Sequence, residues 1–490
     1  MLRGRKLFAV VTLTLLAAGC TVGPKYQRAS APVPAHWDVP DPWRESAPRD
    51  ALPKGEWWAI FHDETLNGLE HDALSANQTL KVAAAHLEQA RASAALQISA
   101  QFPQVSASPS AQRQRLSGTR ATSSNFPATG AVTQSSYTLP FTVSYEVDLF
   151  GRRRSSIEAA QAAYQATGAD LENTRLIITA ELAGDYFSLR QVDTQLGILR
   201  RTVETLSKGL DLVNSRHAGG IASGLDVAQE ETLLNATRTQ AILLRQQRKQ
   251  LEDAIAILVG KPAPDFHLES KELEAEPPAI NAGLPSDLLE RRPDIAEAER
   301  QMAIANAQVG IARAAYFPSL NLFGDGGWQT ADIAKLVNVQ GTIWAFGANA
   351  VENIFTGGAR RAQTQFAKAG YDASVASYRQ TVLNAFGEVQ DDVNGLLVLN
   401  DAQQSQQDAV NAARRELDIA ENRYKGGLVS YLDVVNAQQN LLNNDQQLAI
   451  IRGQKLVTSV LLVKALGGGW DSSSLAALQV KPKVKDVVAP

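Results

Sequence analysis

Few residues in this sequence are of the types and at the spacings that catalysis or metal binding requires. The six histidines show no metal-ligand spacing, and Cys20 is the single cysteine, which excludes a disulfide within the chain. Gly260-Lys261 lacks the upstream glycine and the following hydroxyl residue of a phosphate-binding loop, and no nucleophile-elbow serine occurs. The sequence therefore predicts no catalytic residue, no metal site and no cofactor.

Two short glycine-containing segments, 207 residues apart, repeat the same residue order. Arg216 to Val227 aligns with Arg423 to Val434, and seven of the twelve positions are identical. Glycine allows left-handed backbone after a helix, and aspartate can cap the next helix, so each segment predicts a tight turn between two helices. The residues singled out at these turns are Gly219, Gly220, Leu225, Asp226, Gly426, Gly427, Leu428, Leu432 and Asp433.

Long helices must hold these turns. The 66 residues from Arg152 to His217 contain no proline, and apolar residues recur from Leu189 to Val213 at alternating steps of three and four. At 1.5 Å per residue such a helix would be about 100 Å long. The narrow apolar stripe fits either an ordinary coiled coil or a stave in the wall of a long, water-filled tube, and the helix period leaves both interpretations open.

Helices and strands follow in the same order in two halves of the chain. Repeat 1 (65–284) is predicted to contain a helix at 66–101, strands within 103–150, the long helix 152–217, a helix at 226–259 and a connector at 260–284. Repeat 2 (285–469) is predicted to contain a helix at 286–316, strands within 318–355, a long helix at 360–423 and a helix at 433–466. In each half, the two shorter helices stacked end to end would match the long one. The fold class is therefore mainly α with a small antiparallel β part and two structural repeats per chain.

One strand is predicted with particular clarity. Between Tyr137 and Leu149, seven apolar residues alternate with polar ones, and aromatic rings recur along the apolar face as they do on lipid-facing strands of a barrel. Glu146 and Asp148 would then face a watery lumen. Four strands cannot close a barrel, and open edges are costly in lipid, so other copies of the chain must complete it. Two copies would give eight strands and three would give twelve, and the periodicity leaves this choice open.

The N-terminus carries a predicted targeting signal, and the C-terminal segment shows no clear pattern. Residues 1–19 combine a basic start, a short apolar run and small residues before Cys20, which is typical of a secretory signal and resembles a lipoprotein signal with Cys20 as the lipidated residue. This resemblance also implies sorting to the outer membrane, because Thr21 follows the cysteine and not the aspartate that retains lipoproteins at the inner membrane. Residues 20–64 are predicted to form an extended N-terminal arm and equatorial segment, and residues 470–490 a tail without a pattern. The mild balance of 47 basic and 51 acidic residues gives no basic surface for nucleic acid.

Several short motifs together resemble one protein family. They are Cys20-Thr21-Val22-Gly23-Pro24-Lys25-Tyr26, Trp57-Trp58-Ala59-Ile60-Phe61, Arg291-Arg292-Pro293-Asp294-Ile295 and the two Leu-Asp-Val turns. In this order they are similar to the outer membrane factor family, the outer-membrane exit ducts of tripartite RND-type efflux systems, and most similar to its lipoprotein branch. The resemblance implies a homotrimer with a 12-stranded β-barrel, a 12-helix α-barrel below it in the periplasm, and a mixed equatorial belt.

The resemblance also implies partners and roles. A periplasmic adaptor (membrane fusion protein) would dock at the helix turns, an inner-membrane RND-type pump would supply energy, and outer-membrane lipid would surround the barrel. The duct would export multidrug or toxic compounds passively, without enzyme activity. Polar residues near the turns are hypothesised to form the periplasmic gate: Asp211, Asp418, Arg216, Arg423, Glu421 and Tyr424.

Two alternative functions remain open from the sequence. A non-conducting coiled-coil scaffold of the envelope would also use long helices, but it would not need the apolar strand face between Tyr137 and Leu149. A duct dedicated to metal ions is the second alternative. Met302 is the lone methionine after the signal peptide and no histidine pairs occur, which makes a copper-binding path less favoured, although a passive pore needs no ligands.

Overall fold

The computed structural model describes residues 21–34, 55–119, 130–278, 280 and 288–481. The signal peptide and Cys20 therefore lie outside the described residues. We label the helices α1 (Glu64–Ala76), α2 (Gln78–Ser99), α3 (Arg152–Ala218), α4 (Gly224–Leu258), α5 (Leu288–Arg291), α6 (Pro293–Ala314), α7 (Ala359–Lys425) and α8 (Tyr431–Ala465), and the strands β1 (Gln104–Ala107), β2 (Ser110–Leu116), β3 (Val132–Val147), β4 (Ser319–Thr330) and β5 (Thr342–Val351). No helix in the described part combines the length and apolar character that crossing a membrane requires.

The structure divides two of the four predicted shorter helices, 66–101 and 286–316. The first breaks at Asn77, whose side chain accepts a hydrogen bond from the backbone N–H of Leu80 and so caps α2. The second breaks at Arg292, which is held in extended backbone because Pro293 begins α6. In both places a local cap or proline, rather than the apolar pattern, decides where the helix ends.

The two halves are structurally equivalent over their helices. The long helices α3 and α7 have 67 residues each, and α4 and α8 have 35 each. Both pairs are related by adding 207 to the residue number. The 22-residue helices α2 and α6 are related by adding 215. The eight-residue change falls in the strand region between them, where loop lengths differ.

Beside each long helix, two shorter helices are stacked end to end. In repeat 1 the Asn77 amide donates to the carbonyl of Leu258, at 2.8 Å, so the end of α4 meets the start of α2. In repeat 2 the Arg292 guanidinium donates to the equivalent carbonyl of Ala465, at 3.0 Å. Arg292 also contacts the carboxylates of Asp294 and Glu388, both at 2.7 Å, which ties α6 to α7. The stacked pairs α4–α2 and α8–α6 pack along α3, and α8–α6 also packs along α7.

The strands form one antiparallel sheet. β1 and β2 pair with β3 in a single register, so they are one strand interrupted at residues 108–109. Pro109 and Pro140 have no N–H to donate at this point. The Ser108 N–H donates to the Pro140 carbonyl at 3.2 Å, and this bond continues the pairing. Counted in this way, the described chain contributes four strands in the order β1/β2–β3–β4–β5, with a free edge on each side.

The register places the predicted apolar face on one side of this sheet. Leu139 lies opposite Trp328, and Phe141 lies opposite Gly326, which in turn lies opposite Trp344. The other side is polar, with the Thr142 hydroxyl donating to Asp325 at 2.7 Å. Because side chains alternate between faces, this pairing places the aromatic residues Phe141, Trp328 and Trp344 on one face, whereas Phe323, opposite Ser144, lies on the other.

The largest core surrounds the middle of α3. Trp57, Trp58 and Phe61 are buried there, and the Phe61 and Phe187 rings are 4.9 Å apart. The connector is attached by Asp193 of α3, which accepts hydrogen bonds from Ser270 and from the backbone N–H of Lys271. Part of the predicted patternless tail packs in a separate small cluster, where Leu475 is buried against Ala169 of α3 and Ala296 of α6. An equatorial layer thus joins three distant parts of the chain.

The N-terminal segment runs in extended conformation from the sheet towards this layer. Val22 donates to the Phe150 carbonyl at 3.4 Å, and the Asn306 amide donates to the Pro24 carbonyl at 3.0 Å. Gly23 approaches Gly310 so closely that a side chain at either position would meet backbone or Ser155. Residues 21–34 therefore begin beside the junction of strand β3 and helix α3.

Candidate functional site at the hairpin tips

The two tight turns end their helices in the same way. After α3, Gly220 has a φ of +72°, its N–H donates to the His217 carbonyl, and the Ile221 N–H donates to the Arg216 carbonyl. After α7, Gly427 has a φ of +73° and the same two bonds recur. This is the Schellman arrangement, in which a left-handed glycine lets the chain satisfy the last helical carbonyls. Gly220 and Gly427 are therefore required by local backbone geometry, whereas Gly219 and Gly426 have ordinary right-handed backbone.

The next helices begin with caps. Ser223 and Asp226 form a reciprocal capping box before α4. In the second turn the Ser430 hydroxyl donates to the Asp433 carboxylate at 2.7 Å. Both aspartates thus have local structural roles. The turns are rigid supports whose outer side chains are free to meet another molecule.

Large apolar side chains project from both turns. Leu225 is 66% exposed, Leu428 is 72% exposed and Leu432 is 46% exposed. Ile221, which sequence reasoning did not select, is 76% exposed. Apolar residues held out by a rigid turn form a small contact surface at the end of each hairpin.

The structure brings some of the predicted gate residues together. The guanidinium of Arg216 lies over the ring of Tyr424, 5.2 Å from its centroid, and this contact joins the two hairpins of one chain. The Tyr424 ring is 5.0 Å from that of Tyr431. Beneath these rings, Val213 and Val434 are buried in a cluster shared by both hairpins.

The other predicted gate residues lie apart from this contact. Asp211 and Asp418 are exposed at equivalent positions of α3 and α7. Glu421 pairs within its own helix with Lys425, at 3.5 Å, and Arg423 is exposed. Within one chain these four side chains form no common cluster. A role in closing a pore would require them to meet residues of other copies.

Sequence reasoning missed a buried acid behind the turns. Glu230 of α4 is fully buried, and its carboxylate lies beside the Tyr431 hydroxyl of the second hairpin. Burial raises the pKa of this carboxyl. Gly209 makes room for it, because any side chain there would collide with Glu230. A glycine in the middle of a long helix, where it costs stability, was the one signal for this contact.

At the junction between sheet and helix, the two acids that were predicted to face a watery lumen are paired with arginines. Glu146 contacts Arg152 and Arg153, each at 2.6 Å, and Asp148 accepts from the backbone N–H groups of Arg153 and Arg154. The three arginines begin α3 and compensate both carboxylates. The charge that the alternation pattern placed in the lumen is therefore neutralised locally.

No chemical site accompanies these features in the described part of the chain. Among those residues, no group of three or more His, Cys, Asp or Glu side chains could hold a metal ion. The cavities among these residues include open grooves along the helices, one of about 830 Å³ between α7 and α8 and one of about 510 Å³ between α3 and the second hairpin. The geometry offers surfaces for packing and docking.

The family model and the relatives that this chain matches are described as outer-membrane efflux proteins. Residues 69–261 and 284–468 match the family model described as outer membrane efflux protein. The chain is 34% identical to the toluene efflux pump outer membrane protein TtgC of Pseudomonas putida over 469 residues, covering 95% of this chain and 96% of that protein. It is also 34% identical to the antibiotic efflux pump outer membrane protein ArpC of Pseudomonas putida over 468 residues, with the same coverage.

A solved structure extends the likeness to the whole fold. The outer-membrane channel OprN superimposes with a TM-score of 0.84 at 29% identity, covering 92% of this chain and 100% of that chain. The family model spans both repeats, including the helices on either side of each turn. The chain therefore belongs to the outer membrane efflux protein family.

Proposed function

We propose that three copies of this chain form one continuous export duct, with twelve strands in the outer membrane and twelve helical staves in the periplasm. The observation that carries this proposal is that the sheet and the helical layer are incomplete on the same two sides. The free edge β1/β2 leads directly from α2, and the free edge β5 leads directly into α7. A single rotation can therefore complete both layers.

Exposed apolar residues support closure at these sides. On α7, Phe366 is 75% exposed and Val398 is 68% exposed. On the opposite side, Leu96 of α2 is 68% exposed and Ile242 of α4 is 62% exposed. Large apolar side chains along a helix side are typical of a protein interface. Packing α7 of one copy against α2 and α4 of the next would cover both rows.

The two-faced sheet supports a position within lipid. Its apolar face, with Leu139, Trp328 and Trp344, suits acyl chains, and its polar face suits a water-filled bore. Thr21 lies against Gly151, at the end of the sheet. A lipid on Cys20 would thus reach the periplasmic surface of the same membrane, which supports Cys20 as the acylated residue.

The hairpin tips are the proposed docking site for a periplasmic adaptor, through Leu225, Leu428 and Leu432. An inner-membrane RND-type pump would supply the energy, since the described part of the chain offers no catalytic site. Toxic small molecules are the proposed cargo, because similar proteins are named for toluene and antibiotic efflux.

Deleting the gene and profiling susceptibility to antibiotics, solvents and metal ions tests this function in cells. We expect sensitivity to antibiotics or solvents, restored by the intact gene. Sensitivity confined to metal ions would instead favour the dedicated metal duct. Purified protein should also conduct in a planar bilayer, and a trimer without conductance would favour the envelope scaffold.

The gate is tested by replacing two acids at once. Asp211→Ala with Asp418→Ala should raise single-channel conductance in planar bilayers, because six acidic groups near the tips of a trimer would be removed from the closed constriction. Asp372→Ala, on α7 but far from the tips, is the control. Unchanged conductance in the double variant would remove both residues from the gate.

A further inference from the structure

Because of the internal repeat, helix packing between the two halves of one copy should recur where neighbouring copies meet. Helices α3 and α7, and helices α4 and α8, are equivalent at a constant offset of 207. A rotation that carries repeat 1 onto repeat 2 also carries repeat 2 onto repeat 1 of the next copy in a closed ring. Each contact between α3 and α8 within a copy therefore has a counterpart between α7 of that copy and α4 of the next. This step rests on the proposed trimer.

Side chains along the helices fit this relation. Ala449 of α8 is 4% exposed, whereas its counterpart on α4, Ile242, is 62% exposed and awaits a partner. Where α3 and α8 of one copy pack together, the side chain of Gln191 on α3 fills the space that a side chain at Gly453 of α8 would occupy.

The counterparts of that second pair are Val398 on α7 and Gln246 on α4. The long glutamine has changed sides, and a shorter residue faces it. In both places a glutamine on one helix thus faces a shorter residue on the other.

At the tip, the same relation identifies a contact that one copy alone lacks. Within a copy, Arg216 stacks over Tyr424. Their counterparts are Arg423 of one copy and His217 of the next, and both are exposed in the single chain. We propose that Arg423 lies against His217 of the neighbouring copy, and that this contact holds the closed tip less tightly than the Arg216–Tyr424 contact within each copy.

The chemistry of the two pairs explains the difference. A tyrosine ring attracts a guanidinium through its electron-rich face. The His217 imidazole is a weaker platform, and its Nδ1 already donates to the Ala222 carbonyl at 2.9 Å, which fixes the ring against its own turn. Opening of the duct therefore begins by separation of neighbouring copies at Arg423 and His217, while the two hairpins of each copy stay joined.

Cross-linking tests the assignment in the full-length protein. We expect the double variant Arg423→Cys with His217→Cys to give covalent dimers and trimers on denaturing gels after treatment with a short bis-maleimide. Arg216→Cys with Tyr424→Cys should react within one copy and run as a monomer. Each single-cysteine variant is a control for unspecific reaction.

A second pair separates failure at the tip from failure of the trimer. The contact of Gln446 with the Gln195 carbonyl, at 3.0 Å within a copy, has its counterpart between copies at Thr239 and Ala402. Covalent trimers from Ala402→Cys with Thr239→Cys, but only monomers from the tip pair, would overturn the tip assignment and leave the duct intact. Monomers from both pairs, with no native trimer in detergent, would overturn the trimer itself.

Conductance tests the difference in strength. His217→Tyr should give the boundary between copies the same ring as the contact inside a copy, and should lower the open probability about two- to fivefold, the factor expected of an exposed cation–π contact. Tyr424→His weakens only the contact within a copy, which stays joined during opening, and should leave the open probability unchanged. An unchanged open probability in His217→Tyr, with trimers intact, would contradict the proposed role.

Discussion

Single residues decide how the equatorial layer is held together. Asp193 of α3 is buried and accepts hydrogen bonds from Arg248 at 2.7 Å and from Arg190 at 3.1 Å, besides its contacts with the connector. Several donors thus satisfy the lone pairs of this buried carboxylate. At the equivalent positions of repeat 2 the contact is weaker, because Lys455 donates to the uncharged Asn400, at 3.0 Å. Attachment of the connector is thus specific to repeat 1.

Asp193→Ala should therefore lower the free energy of unfolding by about 3–5 kcal/mol, because buried Arg190 would lose its carboxylate partner and partly buried Arg248 would keep only Glu252. Thermal unfolding of the detergent-solubilised protein measures this loss. Glu274→Ala removes an exposed pair with Lys271 and should cost less than about 1 kcal/mol. Equal stability of the two variants would show that the buried network adds nothing.

Asp392 should make stability depend on pH. Burial, with a smaller effect of nearby Glu388, raises the pKa of its carboxyl from 3.8 to about 7. The folded protein then holds a proton that the unfolded chain has released, so stability falls as pH rises between about 4 and about 7. Asp392→Asn should raise the melting temperature at pH 8 and leave it unchanged at pH 4. Asp401→Asn, an exposed residue of the same helix, is the control, and an equal shift in that variant would contradict this assignment.

At the scale of elements, the ends of α4 and α8 determine how the shorter helices stack end to end. Gly467 follows α8 with a φ of +90°, and a side chain there would collide with the Arg291 carbonyl at the break between α5 and α6. Its repeat counterpart Gly260 has a φ of +69° and would bring a Cβ to 2.8 Å from the Ala76 carbonyl. Both glycines let two helices meet end to end beside a long one.

Gly467→Ala should consequently destabilise the protein more than backbone strain alone predicts. Gly358→Ala is the matched control, because Gly358 has a φ of +89° but open space around a Cβ. The control should cost about 1–2 kcal/mol, the penalty of left-handed backbone, and Gly467→Ala clearly more. Urea or thermal unfolding of both variants measures the difference, and similar values would mean that the stacked helix ends tolerate the added methyl group.

At the scale of the whole molecule, assembly follows from what one copy leaves uncovered. Ile242→Lys places a charge on the side of α4 that is proposed to meet the next copy. We expect loss of the heat-resistant trimer on native and semi-denaturing gels, with helix content retained by circular dichroism, because a lysine buried without a partner is costly at an interface.

Leu225→Lys, at the hairpin tip, provides the contrast. It should leave the trimer stable and reduce efflux in cells, since it alters the surface proposed for the adaptor. A trimer lost in Leu225→Lys but kept in Ile242→Lys would reverse the two assignments.

Sequence alone determined much of this protein because the decisive patterns are local or periodic. The proline-free stretches specified the long helices, whose ends the structure places within two residues of the predicted positions. Alternation between Tyr137 and Leu149 specified which face of β3 is apolar, and the offset of 207 specified two equivalent halves. The set of short motifs was also enough to indicate the family.

Tertiary structure decided what depends on residues far apart in the chain. Compensation of Glu146 and Asp148 by three arginines, burial of Glu230 beside Tyr431, and the stacking of Arg216 on Tyr424 each require a particular packing of side chains. A periodic pattern gives the direction of a side chain from its own helix or strand, but not the residue that it meets. The partners of the tips were therefore set by how the two hairpins pack, which no local pattern encodes.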